Sequence, residues 1–528
     1  MRDSFRNLSG QCSLLPPLLA AVLTGCAAAV PPVDAPAPAA TASEIAAGDL
    51  RHRVHLLADD SMRGRDTGTP GAAAAARYIV SELERLGLTP AGDDGTFYNR
   101  SNLQRRQIDL QIRVTGDAID VAPGIEDIVS VSGLVGLPAI REPAGTAPLI
   151  YAGHLTDPEV GAAQELRPAD LAGAAVIVRL AAPPGVDART LAPRATLAAL
   201  FGPSSTASVV LLIAEEGEQE LWAHVNGIAR RGSIELPDAP TPPTGPAFFL
   251  ISPDFAERLI RSPLTGAREA RRDLGTFEFR VTERVDAVDA WNIAAVLPGR
   301  DPSRSGQFVS LGAHYDHVGV GAPVDGDSVY SGADDNASGT SGLLEVAEYL
   351  ASEPSRRPAR SMLFIWYTAE EHGLLGSRTF TDAPTVARDS IMVNINADMI
   401  GRNDPDSLFV VGSGRLSSEL AAEVEAANQR KSRPFVLDYN YDSPDHPERI
   451  FCRSDHYNFA RFAIPIVFFT TGLHGDYHKP SDTPDRVDYE KAARVSRLMA
   501  YLARSLADRS EPLEIDQSVE AAGAECQM

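Results

Sequence analysis

The stretch MLFIWYTAEEHGLLGSRTFT, at residues 362–381, holds a short apolar run, a pair of glutamates and a second, mixed segment. The run Met362–Tyr367 predicts a strand, and residues 374–381 predict a helix. Glu370 and Glu371 therefore lie between a strand and a helix. In sheets built from parallel strands, ligands bind beyond the carboxyl ends of the strands, which is where these two glutamates fall.

The same alternation of strands and helices continues on both sides of this stretch, from Trp291 onward. Strands are predicted at Ile293–Leu297, Phe308–Ala313, Met362–Tyr367, Ile391–Ile395, Leu408–Val411 and Ile466–Phe469. Helices are predicted over residues 340–351, 374–381, 416–429 and 489–507. This alternation is typical of an α/β domain, in which a mostly parallel or mixed sheet lies between helices.

The α/β domain, residues 287–510, is preceded by two segments of different character. Residues 43–126 begin with a helical pattern over 43–90 and are assigned to the same domain. Residues 127–286 alternate short apolar runs with proline- and glycine-rich connectors. They are too long for a loop and predict an inserted β-rich domain. Residues 511–528 form an acidic tail.

Charge and length exclude several classes of protein. The chain has 528 residues, which is too long for one ordinary domain, and a formal net charge of −23. An acidic surface repels phosphate backbones, so we expect no nucleic-acid partner. The composition is 44% hydrophobic and 23% charged, which excludes a fibrous or wholly disordered protein.

The first 26 residues have the features of a bacterial lipoprotein signal peptide. Arg2 and Arg6 precede the apolar run Leu14–Leu23, which is too short to span a bilayer. The sequence LTGC at 23–26 resembles a lipobox, which implies a lipid on Cys26 as the only membrane attachment, followed by an Ala/Pro tether at 27–42. The expected location is the bacterial cell envelope, at the outer membrane. An ordinary cleaved signal peptide, with a secreted or periplasmic protein, is the alternative.

After Cys26 the chain contains two further cysteines, Cys452 and Cys526. Two cysteines are too few for a disulfide framework, and the CxxC spacing of a metal site is absent. One bridge between them is possible in an oxidising envelope, and the sequence leaves that pairing open.

Acidic and histidine residues form five clusters in the α/β domain, three of them directly after predicted strands. The clusters are His314-Tyr315-Asp316, the turn GADDNASG at 332–339, Glu370-Glu371, Asp398, and Tyr477-His478 with Asp482. Each cluster alone is weak evidence, because such residues often cap helices or face solvent. The presence of all five in one α/β domain indicates a metal site.

The residue types in these clusters favour a two-metal hydrolase. Carboxylates and two histidines, without thiolates, suit two zinc ions or a similar metal. A carboxylate in a rigid turn can bind both ions, and hydrolysis also needs a base that binds neither. Adjacent glutamates point in different directions, so one can bind metal while the other faces water. Asp316 shares a strand face with His314 and can fix the tautomer of its ring.

Five motifs resemble the co-catalytic zinc aminopeptidase family. They are HYD at 314–316, GADDNASG at 332–339, TAEEHGLLGS at 368–377, NADMIGR at 396–402 and DYHKPSDTPD at 476–485. That family includes secreted bacterial leucyl-type aminopeptidases, glutamate carboxypeptidase, transferrin receptors and glutaminyl cyclases. The resemblance covers residues 287–510 and extends to SMRGRDTGTPG at 61–71. It implies a zinc exopeptidase fold, and the segment 127–286 resembles an inserted protease-associated domain.

The resemblance implies a role for each matching residue. One zinc ion would be bound by His314, Asp335 and Asp398, and the other by Asp335, Glu371 and His478, with Asp335 as the bridge. Glu370 would be the general base, Asp316 the outer partner of His314, and Tyr477 a stabiliser of the developing oxyanion. Capping, orienting and solvated roles stay open for Asp334, Ser454, Asp455, His456 and Asp482.

The resemblance implies a zinc-dependent exopeptidase, and within the family an aminopeptidase that removes N-terminal residues through a hydroxide bridging two zinc ions. A related aminoacylase and dipeptidase family inserts a dimerisation domain between its last acid and its late histidine, whereas 80 positions separate Asp398 from His478. The full ligand set disfavours a single-zinc glutaminyl cyclase, and no GxSxG motif near a strand end supports a serine hydrolase. A carboxypeptidase or dipeptidase of the same fold, and a catalytically inactive receptor or binding module, are the alternatives.

Overall fold

The structure is a computed structural model that describes residues 41–116, 119–133, 137–154, 171–179, 197, 200–214, 219–264, 272–518 and 526. The expected signal peptide with Cys26, and nearly all of the tether at 27–42, lie outside the described residues. Among the helices of the described part, none is long and apolar enough to cross a membrane.

Strands and helices account for most of the described chain. The strands are β1 Thr89–Pro90, β2 Tyr98–Gly116, β3 Ile119–Val121, β4 Ile128–Ser130, β5 Ala139–Ile140, β6 Ala144–His154, β7 Ala175–Arg179, β8 Val209–Ile213, β9 Ser233–Glu235, β10 Thr244–Gly245, β11 Ala247–Ile251, β12 Arg272–Leu297, β13 Phe308–His314, β14 Gly319–Val324, β15 Asp327–Tyr330, β16 Ser361–Tyr367, β17 Ile391–Ala397, β18 Ser407–Val411, β19 Val436–Asp438 and β20 Ile466–Thr470. The α-helices are Ala47–Leu57, Pro70–Leu86, Gln219–Arg231, Pro253–Ile260, Gly339–Ser352, Leu375–Asp382, Ser418–Gln429, His456–Ala460 and Tyr489–Asp508.

One large mixed sheet runs through the molecule, in the order β19-β18-β20-β17-β13-β16-β12-β6-β7-β8-β11-β4. At the centre of its catalytic half, β16, β13, β17 and β20 are mutually parallel, whereas β12 and β18 flank them in antiparallel orientation. This arrangement confirms the predicted α/β fold with a mostly parallel or mixed sheet. It also brings the carboxyl ends of four strands to one edge, where a ligand site is expected.

The central strands are mostly apolar because both faces of the sheet are covered. Strand β16 is buried at every position. Its residues alternate between two cores: Phe364 and Trp366 join the one that contains the helix Tyr489–Asp508, and Leu363 and Ile365 join the one that contains Phe459. A strand has a side-chain period of two, so uninterrupted apolar residues serve both cores.

Strand β12 differs from its predicted extent. Ile293–Leu297 is only its last part, and the strand begins at Arg272. It pairs antiparallel with β2 from Thr276 to Ile293, so the sheet is continuous between the two halves of the molecule. The predicted domain boundary at 286–287 falls inside this strand, and the division of the chain into domains stays a prediction. Residues 282–287 of β12 are all exposed, and exposed positions also interrupt the buried ones on either side, which hides a strand from a search for apolar runs.

The predicted helical segment 43–90 is interrupted in the structure. Two helices, Ala47–Leu57 and Pro70–Leu86, are separated by a turn over Asp60–Arg65. Gly64 has a φ of +65°, and a Cβ atom there would lie 2.4 Å from the carbonyl oxygen of Tyr330. Glycine is therefore needed at this close approach, which places the SMRGRDTGTPG motif against the two-stranded sheet of β14 and β15.

Candidate metal centre

The residues predicted from five separate clusters meet at the carboxyl edge of the four parallel strands. His314 is the last residue of β13, Glu370 and Glu371 follow β16, and Asp398 follows β17. His478 lies in the segment after β20. Parallel strands deliver their carboxyl ends to one edge, so residues more than 160 positions apart converge there.

Two donor clusters share Asp335. Nε2 of His314 lies 3.4 Å from Oδ1 of Asp335 and 3.2 Å from Oδ1 of Asp398. Nε2 of His478 lies 3.2 Å from Oδ2 of Asp335 and 2.9 Å from Oε2 of Glu371. Ligand atoms about 2.0 Å from a tetrahedral zinc ion are about 3.3 Å apart, so both clusters have suitable dimensions. Because Asp335 offers a different oxygen to each cluster, it is placed to bridge two ions.

The charges of the centre also fit metal binding. The carboxylates of Asp335, Glu371 and Asp398 are almost fully buried, and buried anions require a positive partner. Although burial opposes it, the carboxylates of Glu371 and Asp335 raise the pKa of His478 to about 10. The cluster thus attracts positive charge, and this set of imidazoles and carboxylates suits zinc or a similar divalent ion.

The turn that presents Asp335 is held from two directions. The carboxylate of Asp482 accepts the main-chain N–H groups of Asp334 and Asp335, at 3.0 and 3.1 Å. Oδ1 of Asp334 accepts the N–H of Gly401 at 2.7 Å. The side-chain amide of Asn336 donates to the main-chain carbonyl of Ala397 at 3.0 Å. The peptide bond between Asp335 and Asn336 is cis. Asp334 and Asp482, whose roles the sequence left open, therefore orient the turn.

Asp316 contacts His314 differently from the prediction. The Nδ1 atom of His314 makes a 3.1 Å hydrogen bond with the main-chain carbonyl of Asp316, whereas the nearer carboxylate oxygen of Asp316 is 3.8 Å away. The carboxylate instead accepts the N–H groups of Glu370 and Glu371, at 3.2 and 3.4 Å, and the hydroxyl of Thr67. The carbonyl of Asp316 thus fixes the tautomer of His314, while its side chain orients the glutamate pair.

Glu370 lies beside the centre without entering either donor cluster. Its Oε2 atom is 3.9 Å from Nε2 of His314, and it borders a cleft that Asp335, Asp398 and Tyr477 also line. Burial raises the pKa of Glu370 well above its usual value, with a partial lowering by His314. A nearby cation would lower this pKa again and favour the carboxylate. This is the placement expected of a base that binds no metal.

Tyr477 and Arg453 occupy the same cleft. The ring of Tyr477 stacks on His478 with centroids 3.8 Å apart, and its hydroxyl accepts a 3.3 Å hydrogen bond from Arg453. Because the tyrosine oxygen accepts this bond, its own proton stays free for another acceptor in the cleft. The position fits the predicted oxyanion role, which stays a prediction.

The remaining residues left open by the sequence have structural contacts. Ser454 donates its hydroxyl to Oδ2 of Asp398 at 2.9 Å. His456 is buried and stacks on Phe468 with centroids 4.6 Å apart, and burial lowers its pKa to about 3. Asp455 is also buried, and burial raises its pKa to about 7. Neither Asp455 nor His456 joins the donor clusters found among the described residues.

Sequence reasoning missed two residues of the site. Arg65 is fully buried and donates to the main-chain carbonyls of Tyr315, Ser331 and Gly332, so it joins the segments that carry His314 and Asp335. His317 is fully buried, and its Nδ1 atom lies 2.6 Å from Oε1 of Glu371. The extension of HYD to HYDH at 314–317 was a signal for His317, whereas nothing in the local sequence distinguishes Arg65 from the other arginines.

Residues 292–503 match a protein-family model that is described as "Peptidase family M28". A "Probable leucine aminopeptidase" of Arthroderma benhamiae is 28% identical over 224 residues, which cover 41% of this chain and 57% of that protein. The "Uncharacterized protein YfbL" of Escherichia coli is 30% identical over 36% of this chain and 64% of its own length. The chain thus spans less than two thirds of the length of these curated relatives.

Solved structures extend the similarity to nearly the whole chain. An aminopeptidase from Aneurinibacillus sp. strain AM-1 has a TM-score of 0.55 at 18% identity, covering 90% of this chain and 97% of that one. A zinc aminopeptidase from Bacillus subtilis has the same TM-score and identity, with 90% and 100% coverage. At this identity the likeness shows the fold alone. The family model that matches residues 292–503 agrees with this fold.

Proposed function

We propose that this chain is a two-zinc aminopeptidase that hydrolyses the N-terminal peptide bond of peptides. One observation carries the proposal: Asp335 presents one oxygen to His314 and Asp398 and the other to Glu371 and His478, with Glu370 beside them. The relatives described as aminopeptidases, one of them a zinc enzyme, support the same activity.

The donor clusters define what the bound ions would contribute. When bound, two zinc ions would activate water and polarise the scissile carbonyl. His314, Asp335 and Asp398 would hold one ion, and Asp335, Glu371 and His478 the other. The family resemblance leads us to propose that the substrate's free amine is oriented at this centre.

Glu370 would move the proton in this reaction. Its carboxylate accepts a proton from the attacking water and donates it to the nitrogen of the leaving amine. The N–H of Glu370 is held by Oδ1 of Asp316 at 3.2 Å, which fixes the main chain from which the carboxylate extends. The phenol of Tyr477 would donate to the oxyanion that develops on the scissile carbonyl.

The cleft next to Glu370 suits an apolar side chain. Met399, Ile450, Phe468 and Leu473 line it together with the metal-binding carboxylates. An apolar N-terminal residue would bury its surface there, and burial of a leucine-sized side chain contributes about 2 kcal/mol. We therefore propose a preference for leucine-like N-terminal residues.

The test compares leucyl-p-nitroanilide with its N-acetylated form, using protein from residue 27 onward loaded with zinc. Cleavage of the free-amine substrate alone, lost with a chelator and restored by zinc, is the expected result. Cleavage of neither substrate by protein that holds two zinc ions would contradict the aminopeptidase. Cleavage of neither by protein that binds no zinc would favour the inactive binding module.

A carboxypeptidase or dipeptidase is the second candidate, and Arg453 is the observation that favours it. Its guanidinium lines the cleft and could bind a terminal carboxylate, although Glu448 also pairs with it at 2.7 Å. Hydrolysis of leucyl-leucine and of leucyl-leucinamide by the zinc-loaded protein distinguishes the two candidate activities. An aminopeptidase cleaves both dipeptides, whereas an enzyme that needs the carboxylate cleaves only the first.

We also propose that the protein is attached to the bacterial outer membrane through a lipid on Cys26. The LTGC sequence at 23–26 and the Ala/Pro tether after it support this location. Metabolic labelling with a radioactive fatty acid should label the wild-type protein and not the Cys26→Ser variant. Equal labelling of both proteins would contradict the proposal.

The strands β6, β7, β8 and β11 support the proposal that residues 127–286 contain a protease-associated type of domain. These strands are mutually parallel and pack around their own apolar cores.

A further inference from the structure

We infer that His317 is a positioning residue for the metal-binding carboxylate of Glu371. The imidazole of His317 is fully buried, and its Nδ1 atom lies 2.6 Å from Oε1 of Glu371. The inference rests on the proposed function, because it assigns His317 a role at the second of the two proposed zinc positions. None of the five family motifs in this chain assigns a role to His317.

His317, Asp335 and Glu371 also form a group compact enough to hold an ion, but the distances favour a positioning role for His317 over that of a metal ligand. Nε2 of His478 lies near both carboxylates of the second cluster, at 3.2 Å from Asp335 and 2.9 Å from Glu371. Nδ1 of His317 is within hydrogen-bonding distance of Glu371 alone, because Oδ2 of Asp335 is 3.7 Å away. The 2.6 Å contact between Nδ1 of His317 and Oε1 of Glu371 is slightly shorter than the usual N–H···O bond to a carboxylate, so the two atoms are close enough to share a hydrogen.

The two oxygens of Glu371 therefore have separate partners. Oε1 faces His317, and Oε2 faces His478 and the position of the ion. A hydrogen bond on Oε1 fixes the plane of the carboxylate and leaves Oε2 to bind metal. Carboxylates that bind metal are commonly held by such hydrogen bonds, and loss of the partner lowers metal affinity or activity by about 10–100-fold.

The surroundings of His317 hold its ring in this orientation. A Cβ atom on Gly332 would lie 2.4 Å from Cγ of His317, so the ring is seated against the glycine that begins the Asp335 turn. The ring of His478 packs on it edge to face, with centroids 5.6 Å apart. The absence of a side chain at Gly332 thus allows the His317 ring to pack against the Asp335 turn while its Nδ1 atom contacts Glu371.

The contacts of the His317 ring indicate which of its two nitrogens carries the hydrogen. Within the described residues, Nε2 of His317 is buried and has no hydrogen-bond partner. A hydrogen on Nε2 would leave a buried donor unsatisfied, whereas a hydrogen on Nδ1 has the Glu371 carboxylate as its acceptor. A hydrogen on Nδ1 therefore suits the site, and the ring donates it to Oε1 of Glu371.

The test compares three variants of the zinc-loaded protein: His317→Ala, His317→Asn and His317→Gln. The Asn side chain places an N–H near the position of Nδ1, whereas the Gln side chain places one near Nε2. An amide nitrogen is not a zinc ligand, so Asn can restore a hydrogen bond but not a metal bond. Zinc affinity is measured by competition with a chromophoric chelator, and the metal-free proteins are compared by circular dichroism. His52→Ala, in the exposed part of the first helix, is the matched control.

We expect wild-type protein and His52→Ala to bind two zinc ions with equal affinities. His317→Ala and His317→Gln should bind one of the two ions about 10–100-fold more weakly, and His317→Asn should bind it within a few-fold of wild type. Wild-type affinity in His317→Ala would overturn the inference. Equal weakening of zinc binding in His317→Asn and His317→Gln proteins that fold normally would also overturn the inference, because it would identify His317 as a metal ligand. Wild-type protein that binds no zinc would overturn the proposed function as well, so the two failures are distinguishable.

Discussion

The hydroxyl of Ser454 donates a hydrogen bond to Oδ2 of Asp398 across 2.9 Å. The same hydroxyl accepts a 2.9 Å hydrogen bond from Nδ2 of Asn396, which lies in strand β17. Oδ1 of Asp398 is thereby left to face Nε2 of His314, 3.2 Å away. Ser454 orients one carboxylate of the centre, as His317 is inferred to orient another.

Replacing Ser454 with alanine should weaken the binding of one zinc ion by about 10–100-fold, because Asp398 loses the contact that holds its second oxygen. Competition with a chromophoric chelator measures the change. Ser510→Ala is the control, because Ser510 is exposed and is outside the centre. Unchanged zinc affinity in a folded Ser454→Ala protein would show that Asp398 is held by its other contacts.

Replacing Glu370 with glutamine should lower turnover by about 10²–10⁴-fold and leave two zinc ions bound. The amide cannot accept the proton of the attacking water, and Glu370 is in neither donor cluster. Steady-state hydrolysis of leucyl-p-nitroanilide and metal analysis of the same sample provide the two readouts. Glu84→Gln, on the exposed face of the helix Pro70–Leu86, is the matched control. Normal turnover in purified Glu370→Gln protein would refute the assignment of the base.

Replacing Cys526 with serine should destabilise the protein by as much as about 4 kcal/mol, the entropic contribution of a bridge that closes a loop of this length. The structure confirms the pairing that the sequence left open, because Cys452 and Cys526 form a disulfide with a sequence separation of 74. Cys452 directly precedes Arg453 and Ser454 at the cleft, so the bridge holds Cys526 beside the site. The melting temperature is the measurement.

A reducing agent provides the control for the disulfide. It should lower the melting temperature of the wild-type protein to that of Cys526→Ser, and it should leave the variant unchanged. Equal melting temperatures for oxidised wild type and the variant would mean that the bridge contributes nothing to stability.

The Lys491→Met variant should reveal a pH dependence that Lys491 confers on stability. Burial lowers the pKa of the Lys491 ammonium to about 8, whereas an unfolded lysine has a pKa of about 10.4. Between these values the unfolded chain binds more protons than the folded one, so this lysine makes the free energy of unfolding rise with pH.

Urea unfolding at several pH values tests this expectation. The difference in the free energy of unfolding between wild type and Lys491→Met should shift in favour of wild type from about pH 8 to about pH 10. It should be constant between pH 6 and pH 7.5, which provides an internal control. In the folded protein Nζ donates to the carbonyls of Arg402 and Asp404, and the loss of these bonds adds an offset independent of pH. A flat difference up to pH 10 would contradict the lowered pKa.

Much of the catalytic half was predictable from local pattern. Buried strands such as Met362–Tyr367 are continuous apolar runs, and the structure places a strand at Ser361–Tyr367. The helix predicted over 489–507 is Tyr489–Asp508. These elements are encoded by periodicity and length, which do not depend on distant contacts. The outer part of β12 was missed because much of it is exposed and its pairing with β2 is non-local.

The residue types of a metal centre, and the clusters that hold them, were recognisable from the sequence alone, since Asp335, Glu371 and His478 lie in recognisable motifs. The tertiary structure decided which oxygen faces which histidine, and it alone revealed the contacts of His317 and Arg65. It also showed that the Asp316 carboxylate accepts hydrogen bonds from the main chain of the glutamate pair, whereas His314 contacts the main-chain carbonyl of Asp316. A motif specifies residues that are close along the chain, whereas hydrogen bonds between strand ends depend on how the sheet brings those ends together.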